Sequence, residues 1–152
     1  MKKPNLAISV QLSCFIHATE EEERVVTALR NVLPEELRNY EQAYLKKSVN
    51  YGYYGNPIIL LQVEFTGSEA DKVVYHIFMH LPKEDLEEIF RDFENRFAKG
   101  RLYLRLDKQE AYYGGLRISV SDDVIKCVIK FKPHLRKQED IERALREQGI
   151  KI

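Results

Sequence analysis

Six cations fall at alternating positions within three short stretches of the last third of the chain. In residues 101–107, Arg101, Tyr103, Arg105 and Asp107 point one way if the segment is a strand, and Leu102, Leu104 and Leu106 point the other. In residues 116–120, Arg117 and Ser119 oppose Leu116, Ile118 and Val120. In residues 124–132, Lys126, Val128, Lys130 and Lys132 oppose Ile125, Cys127, Ile129 and Phe131. An ordinary solvent face mixes charge signs, but here the polar side carries Arg101, Arg105, Arg117, Lys126, Lys130 and Lys132 against the lone carboxylate of Asp107. A row of cations with an interleaved tyrosine can follow a phosphate backbone.

Other chemistries find no residue set. His76 and His80 stand four apart on a predicted helix, a spacing that can hold a metal. No glutamate follows His76 and no third ligand is evident, so a solvated helix edge is the expectation. There is no Cys-x-x-Cys, no glycine-rich phosphate loop and no serine in a nucleophile elbow. No catalytic residue, metal or cofactor is expected. Asp122 and Asp123 read as a turn between strands. Gly52-Tyr-Tyr-Gly55 matches the Gly-x-x-Gly string of a KH clamp, but it precedes a strand and holds no cation. Lys99, Gly100 and Tyr103 fall in register with the RRM strand motif, without its other aromatics. Tyr51, Tyr53, Tyr54, Tyr103, Tyr112 and Tyr113 lie in or near the basic region, where tyrosines can stack on unpaired bases or plug the ends of a sheet.

These side chains need a frame. Residues 6–17 alternate as a long strand, with Leu6, Ile8, Val10, Leu12, Cys14 and Ile16 on one face and Ser9, Gln11, Ser13 and His17 on the other. Thr19 and Glu22 have the spacing of a capping box for a helix that Pro34 stops. The acidic run Glu20 to Glu23 suits the positive end of that helix and is not read as a metal site. Residues 35–47 fit helix or strand, with a short turn and then a strand near 43–49 as the expectation. A strand over 58–66 follows. Ser68 would cap a helix to about Leu81, and a further helix over 83–98 would end at Gly100 in the left-handed conformation. The three basic-faced strands come next, then a helix near 138–148. Segregated strands and helices predict an α+β two-layer sandwich, mostly antiparallel, with helices on one sheet face and water on the other.

A chain of 152 residues is expected to form one domain able to bury a core without metal or disulfide. Its formal net charge is zero, yet residues 1–98 carry −5, residues 99–137 carry +6 and residues 138–152 carry −1. That asymmetry is the informative quantity. Cys14 and Cys127 fall on apolar strand faces and read as buried small hydrophobes. With neither a signal-peptide core nor an apolar run of about 20 residues, a cytoplasmic location away from membranes is expected.

Three stretches carry a family resemblance: residues 14–20, residues 52–58, and Leu102-Tyr-Leu-Arg-Leu-Asp-Lys-Gln-Glu-Ala-Tyr-Tyr-Gly-Gly115, the most specific of the three. Together they resemble a small archaeal family described as RNA-binding and as a predicted exosome-associated subunit. The resemblance spans roughly residues 8–132. It implies the fold of the large-subunit ribosomal protein that binds 5S ribosomal RNA. It implies no catalytic residues. Arg105, Asp107, Lys108, Gln109, Tyr112 and Gly115 become candidates for the contact surface, with Asp107 orienting Arg105 or Lys108, or accepting from a base amino group.

Two functions follow as expectations. The first is a non-catalytic RNA-binding domain, an accessory of RNA processing or degradation. Its contacts would be Arg101, Tyr103, Arg105, Lys108, Gln109, Tyr112, Arg117, Lys126, Lys130 and Lys132. The second is a protein-interaction subunit, in which the basic face or the last helix meets an acidic protein partner. Exosome or other RNA-processing proteins and a second copy of the chain are the further partners considered.

Overall fold

The structure is a computed structural model, and it describes residues 5–40, 46–51 and 55–152. Alternation forms the sheet. Strand β1 (Ala7–Ile16) buries Val10, Leu12, Cys14 and Ile16 on one side. It pairs antiparallel with β3 (Pro57–Thr66) on one flank and with β6 (Val124–Phe131) on the other. β2 (Lys46–Tyr51) extends the sheet beyond β3, and β5 (Arg101–Asp107) beyond β6. β4 (Phe97–Ala98) ends the order β2-β3-β1-β6-β5-β4, every pairing antiparallel. A bulge between Ala7 and Ser9 turns Ile8 outward.

Six helices accompany the sheet among the described residues: α1 (Glu22–Asn31), α2 (Gly67–His80), α3 (Lys83–Arg91), α4 (Phe93–Arg96), α5 (Lys108–Tyr112) and α6 (Gln138–Glu147). Val25 and Leu29 of α1, Val74 and Ile77 of α2, Ile89 of α3 and Ile141 and Leu145 of α6 join the buried strand residues in one core. Asp71 on α2 is buried because its carboxylate accepts the Leu6 and Ala7 backbone N–H groups at 2.9 and 2.8 Å, tying α2 to the start of β1. The opposite sheet face stays open: Ser9, Gln11, Ser13, Gln62, Val128, Lys130, Arg101 and Arg105 are only half-buried, and Tyr103, Phe15 and Lys126 are exposed. The architecture is the expected α+β two-layer arrangement.

Several local expectations fail for identifiable reasons. Thr19 does not cap α1. The helix begins at Glu22 without a side-chain cap, and Glu20 instead accepts the His17 backbone N–H at 2.9 Å. Ser68 likewise caps nothing, since α2 already starts at Gly67. The helix expected over 83–98 breaks at Asp92 (φ −105°, ψ 24°), is followed by the single turn of α4, and gives way to β4. Gly100 does take a left-handed conformation, φ +79°, but in a hairpin rather than a helix end. With Lys99 at φ +53° it forms the two-residue turn between paired Ala98 and Arg101, a geometry that needs positive φ at both positions. Residues 116–120 are not a ladder strand. Ile118 makes one isolated bridge to Leu106, with Asp107 N–H donating to the Arg117 carbonyl and Ser119 N–H to the Arg105 carbonyl, both at 2.8 Å. The segment expected near 43–49 is β2, beginning at Lys46, after a 3-10 turn over Glu35–Tyr40. Gly52, Tyr53 and Tyr54 lie outside the described residues, as do residues 41–45.

Candidate nucleic-acid interface

The strand registers decide which outward side chains are neighbours. Arg101 lies opposite Lys130, Tyr103 opposite Val128, and Arg105 opposite Lys126. Across β6, Lys130 faces Ser9, Val128 faces Gln11 and Lys126 faces Ser13. Across β1, Ser9 faces Thr66, Gln11 faces Glu64 and Ser13 faces Gln62, and beyond Gln62 stands Lys46. Tyr103 is therefore framed by four cations. Arg101 and Arg105 are about 7 Å away along its own strand, and Lys126 and Lys130 about 7–8 Å away on the diagonals. A hydroxylated ring, 47% exposed, sits midway along one long side of a positive rectangle, with Val128 midway along the other.

The frame is largely unneutralised. Among the described residues Arg101, Lys126 and Lys130 have no carboxylate partner. Arg105 donates to the Ser121 carbonyl at 2.7 Å and lies 3.8 Å from the fully exposed Asp122 carboxylate. Such a pair in water contributes little, and it points the guanidinium toward the turn after residue 120. No helix of the described residues covers the face.

Other sequence candidates are placed elsewhere. Lys108 is buried: its ammonium donates to the Phe15 carbonyl at 2.8 Å, to Asp123 at 2.6 Å and to Glu20 at 3.2 Å. Its charge is spent inside the protein. Arg117 is drawn off by Asp85, a buried carboxylate that accepts from Arg117 Nε and from the Ile118 backbone N–H, both at 3.0 Å. Asp107 caps α5, accepting the Glu110 N–H at 2.9 Å, so its place among cations has a structural reason. Tyr112 packs half-buried with the Arg24 guanidinium 4.4 Å above its ring. Gln109 and Tyr112 line a cavity of about 360 Å³ beside α1, away from the grid. Lys132, the residue after β6, donates to the Asn5 side-chain carbonyl.

The His17, Glu20 and Asp123 ligand atoms gather within 4.8 Å of one another. The Lys108 ammonium already supplies the cation for that group. His76 is half-buried and its ring lies 4.2 Å from that of His80. Burial first, then His80 and Arg38, hold the His76 pKa down at about 4. Cys14 and Cys127 are free and buried, and desolvation pushes both thiols up to about 12.

Two contributors escaped the sequence reading. Lys46 lay in the segment without a decisive period, and its place is visible only from the β2–β3 register. Phe15 lies in the run Ser9, Gln11, Ser13, Phe15, His17, an apolar residue at a wet position. That interruption was the available signal.

A family model described as "RNA binding" matches residues 9–131. The chain belongs to this RNA-binding family. The matched span contains β3, β5, β6 and all but the first two residues of β1, the strands that build the cationic grid. The chain is 34% identical over 143 residues to the RNA-binding protein PAB1135 of Pyrococcus abyssi, covering 93% of this chain and 92% of that one. It is 36% identical over 126 residues to the uncharacterized protein MJ0213 of Methanocaldococcus jannaschii, covering 82% and 84%. Among solved structures, protein SSO0741 from Sulfolobus solfataricus superposes with a TM-score of 0.73 at 28% identity, covering 92% of this chain and 98% of that one. No helix of the described residues is long and apolar enough to cross a membrane.

Proposed function

We propose that the protein is a non-catalytic RNA-binding protein, an accessory of RNA processing or degradation, whose open sheet face is the contact surface. One observation carries the reading: Arg101, Arg105, Lys126 and Lys130 surround the exposed Tyr103 on a face that no helix of the described residues covers. Membership of the RNA-binding family and the name of the Pyrococcus abyssi relative support it. Four cations engaging four phosphates of a single strand give a log–log salt slope of about −3. The slope is measured by titrating RNA at a series of salt concentrations. A flat response, or no binding at low salt, rejects the proposal. The exosome link and the likeness to the 5S-binding ribosomal protein belong to the same proposal. Co-purification from cells with and without ribonuclease tests the link, with an RNA-dependent partner set as the expected result.

A further inference from the structure

The cationic grid runs at one end into a concavity. A cavity of about 320 Å³ opens between Ser13, Phe15, Leu60, Val124, Arg105 and Lys126, with Asp122 at its rim. Phe15 faces Leu60 across the β1–β3 ladder, and Val124, on the same outward alternation as Lys126, is buried there. Phe15, Leu60 and Val124 give the cavity an apolar part, and two of the four grid cations line it with Ser13 and Asp122.

We infer that this cavity receives an unpaired nucleobase, so that the face takes single-stranded RNA rather than duplex; the inference rests on the RNA-binding reading above. Phe15 is 39% exposed on a sheet face where its neighbours along the strand are polar. Leu60 and Val124 cover part of the ring, and the remainder stays open to solvent on a charged face. That ring is the group on which a base can stack. The volume lies at the lower end of the range for small-molecule sites, about 300–1,000 Å³. Arg105 and Lys126 in the lining are placed for the phosphates on either side of a base seated on Phe15. A duplex offers this cavity nothing, because its bases are stacked inward and only its phosphates and groove edges reach a protein surface. Tyr103, two residues along β5 from Arg105, offers a second ring for the next base.

The test uses the full chain and a single-stranded RNA of about ten nucleotides carrying one 2-aminopurine, against the same strand annealed to its complement. The wild type should bind the single strand more tightly and change the 2-aminopurine fluorescence. Phe15→Ala should weaken single-strand binding about five- to 150-fold and abolish that change, leaving the salt slope and the weaker duplex binding as they were. Phe15→Leu keeps apolar bulk without a ring, so it guards against a folding defect and should lose affinity similarly, while Phe15→Tyr should restore it. Wild-type affinity in Phe15→Ala and Phe15→Leu overturns the cavity inference, and so does equal binding of strand and duplex. In both cases the RNA face stands if Lys126 and Lys130 still set the salt slope. Absence of any RNA binding by the wild type overturns both.

Discussion

Replacing Lys126 and Lys130 together by alanine should halve the salt dependence of RNA binding. The two lysines are half of the rectangle that has Tyr103 on one long side. With about 0.7 of a counterion released per neutralised phosphate on a single strand, four contacts give a slope of about −2.8 and two give about −1.4. Between about 50 and 200 mM salt, wild-type affinity should fall about 50-fold and that of the double variant about sevenfold. The fold should not notice. Both side chains reach solvent and neither has a carboxylate partner among the described residues. Surface changes of this kind stay within about 0.5 kcal/mol each, a shift of about 2–4 °C at most for the pair. The assay is fluorescence anisotropy across salt, paired with a thermal melt. An unchanged slope in a well-folded variant would refute the geometric reasoning. A collapse of the melting temperature would show the lysines to be structural instead.

Four further outcomes follow from the structure. Lys108→Ala should destabilise the fold by about 1–3 kcal/mol in urea unfolding, below the 3–5 kcal/mol of a fully buried pair because Asp123 is half-exposed, and it should leave the RNA salt slope unchanged. Gly100→Ala should cost about 1–3 kcal/mol by thermal melt, since its φ is +79° and an added Cβ would stand 2.8 Å from Arg136 Cζ, which is held by bonds to the Phe131 and Lys132 carbonyls. Stability should fall as pH drops from about 6.5 toward 4, because the unfolded chain protonates His76 over that window while the folded protein does not; His76→Gln should flatten the profile, by no more than about 2 kcal/mol for a half-buried ring. Cys14 and Cys127 should resist iodoacetamide in the native protein and react on unfolding, as mass spectrometry would show.

The strands were legible wherever apolar and polar residues alternate strictly. Residues 6–17, 58–66, 101–107 and 124–132 all read correctly to within a residue or two. The longer helices were legible by their apolar stripes, and the starts of α3 at Lys83 and α6 at Gln138 fell where expected, but the caps of α1 and α2 and the short helix α5 did not show. Thr19 and Ser68 have capping chemistry, but the chain enters α1 and α2 with other residues at the cap. Residues 116–120 alternate like a strand, and what removes them from the ladder is Asp85, thirty-two residues before Arg117, drawing the arginine and the Ile118 N–H toward α3. Lys108 is hidden for the same kind of reason. Its partners Glu20 and Asp123 come from distant parts of the chain, and pairings of that range leave no periodic trace. Arg101, Arg105, Lys126 and Lys130 were found because a strand's own two-residue period places them, with no tertiary information required.

The central position of β1 has a consequence for how the molecule is made. Its two flanks are filled by β3 and by β6, and the second of these is more than a hundred residues downstream. Pairing of Val10 to Leu12 with Ile129 to Cys127 has to wait until that last strand has left the ribosome, so the early product is half a sheet with an unzipped margin. During synthesis that margin is where mispairing with another nascent chain would begin, and a holding chaperone would have its clearest target there.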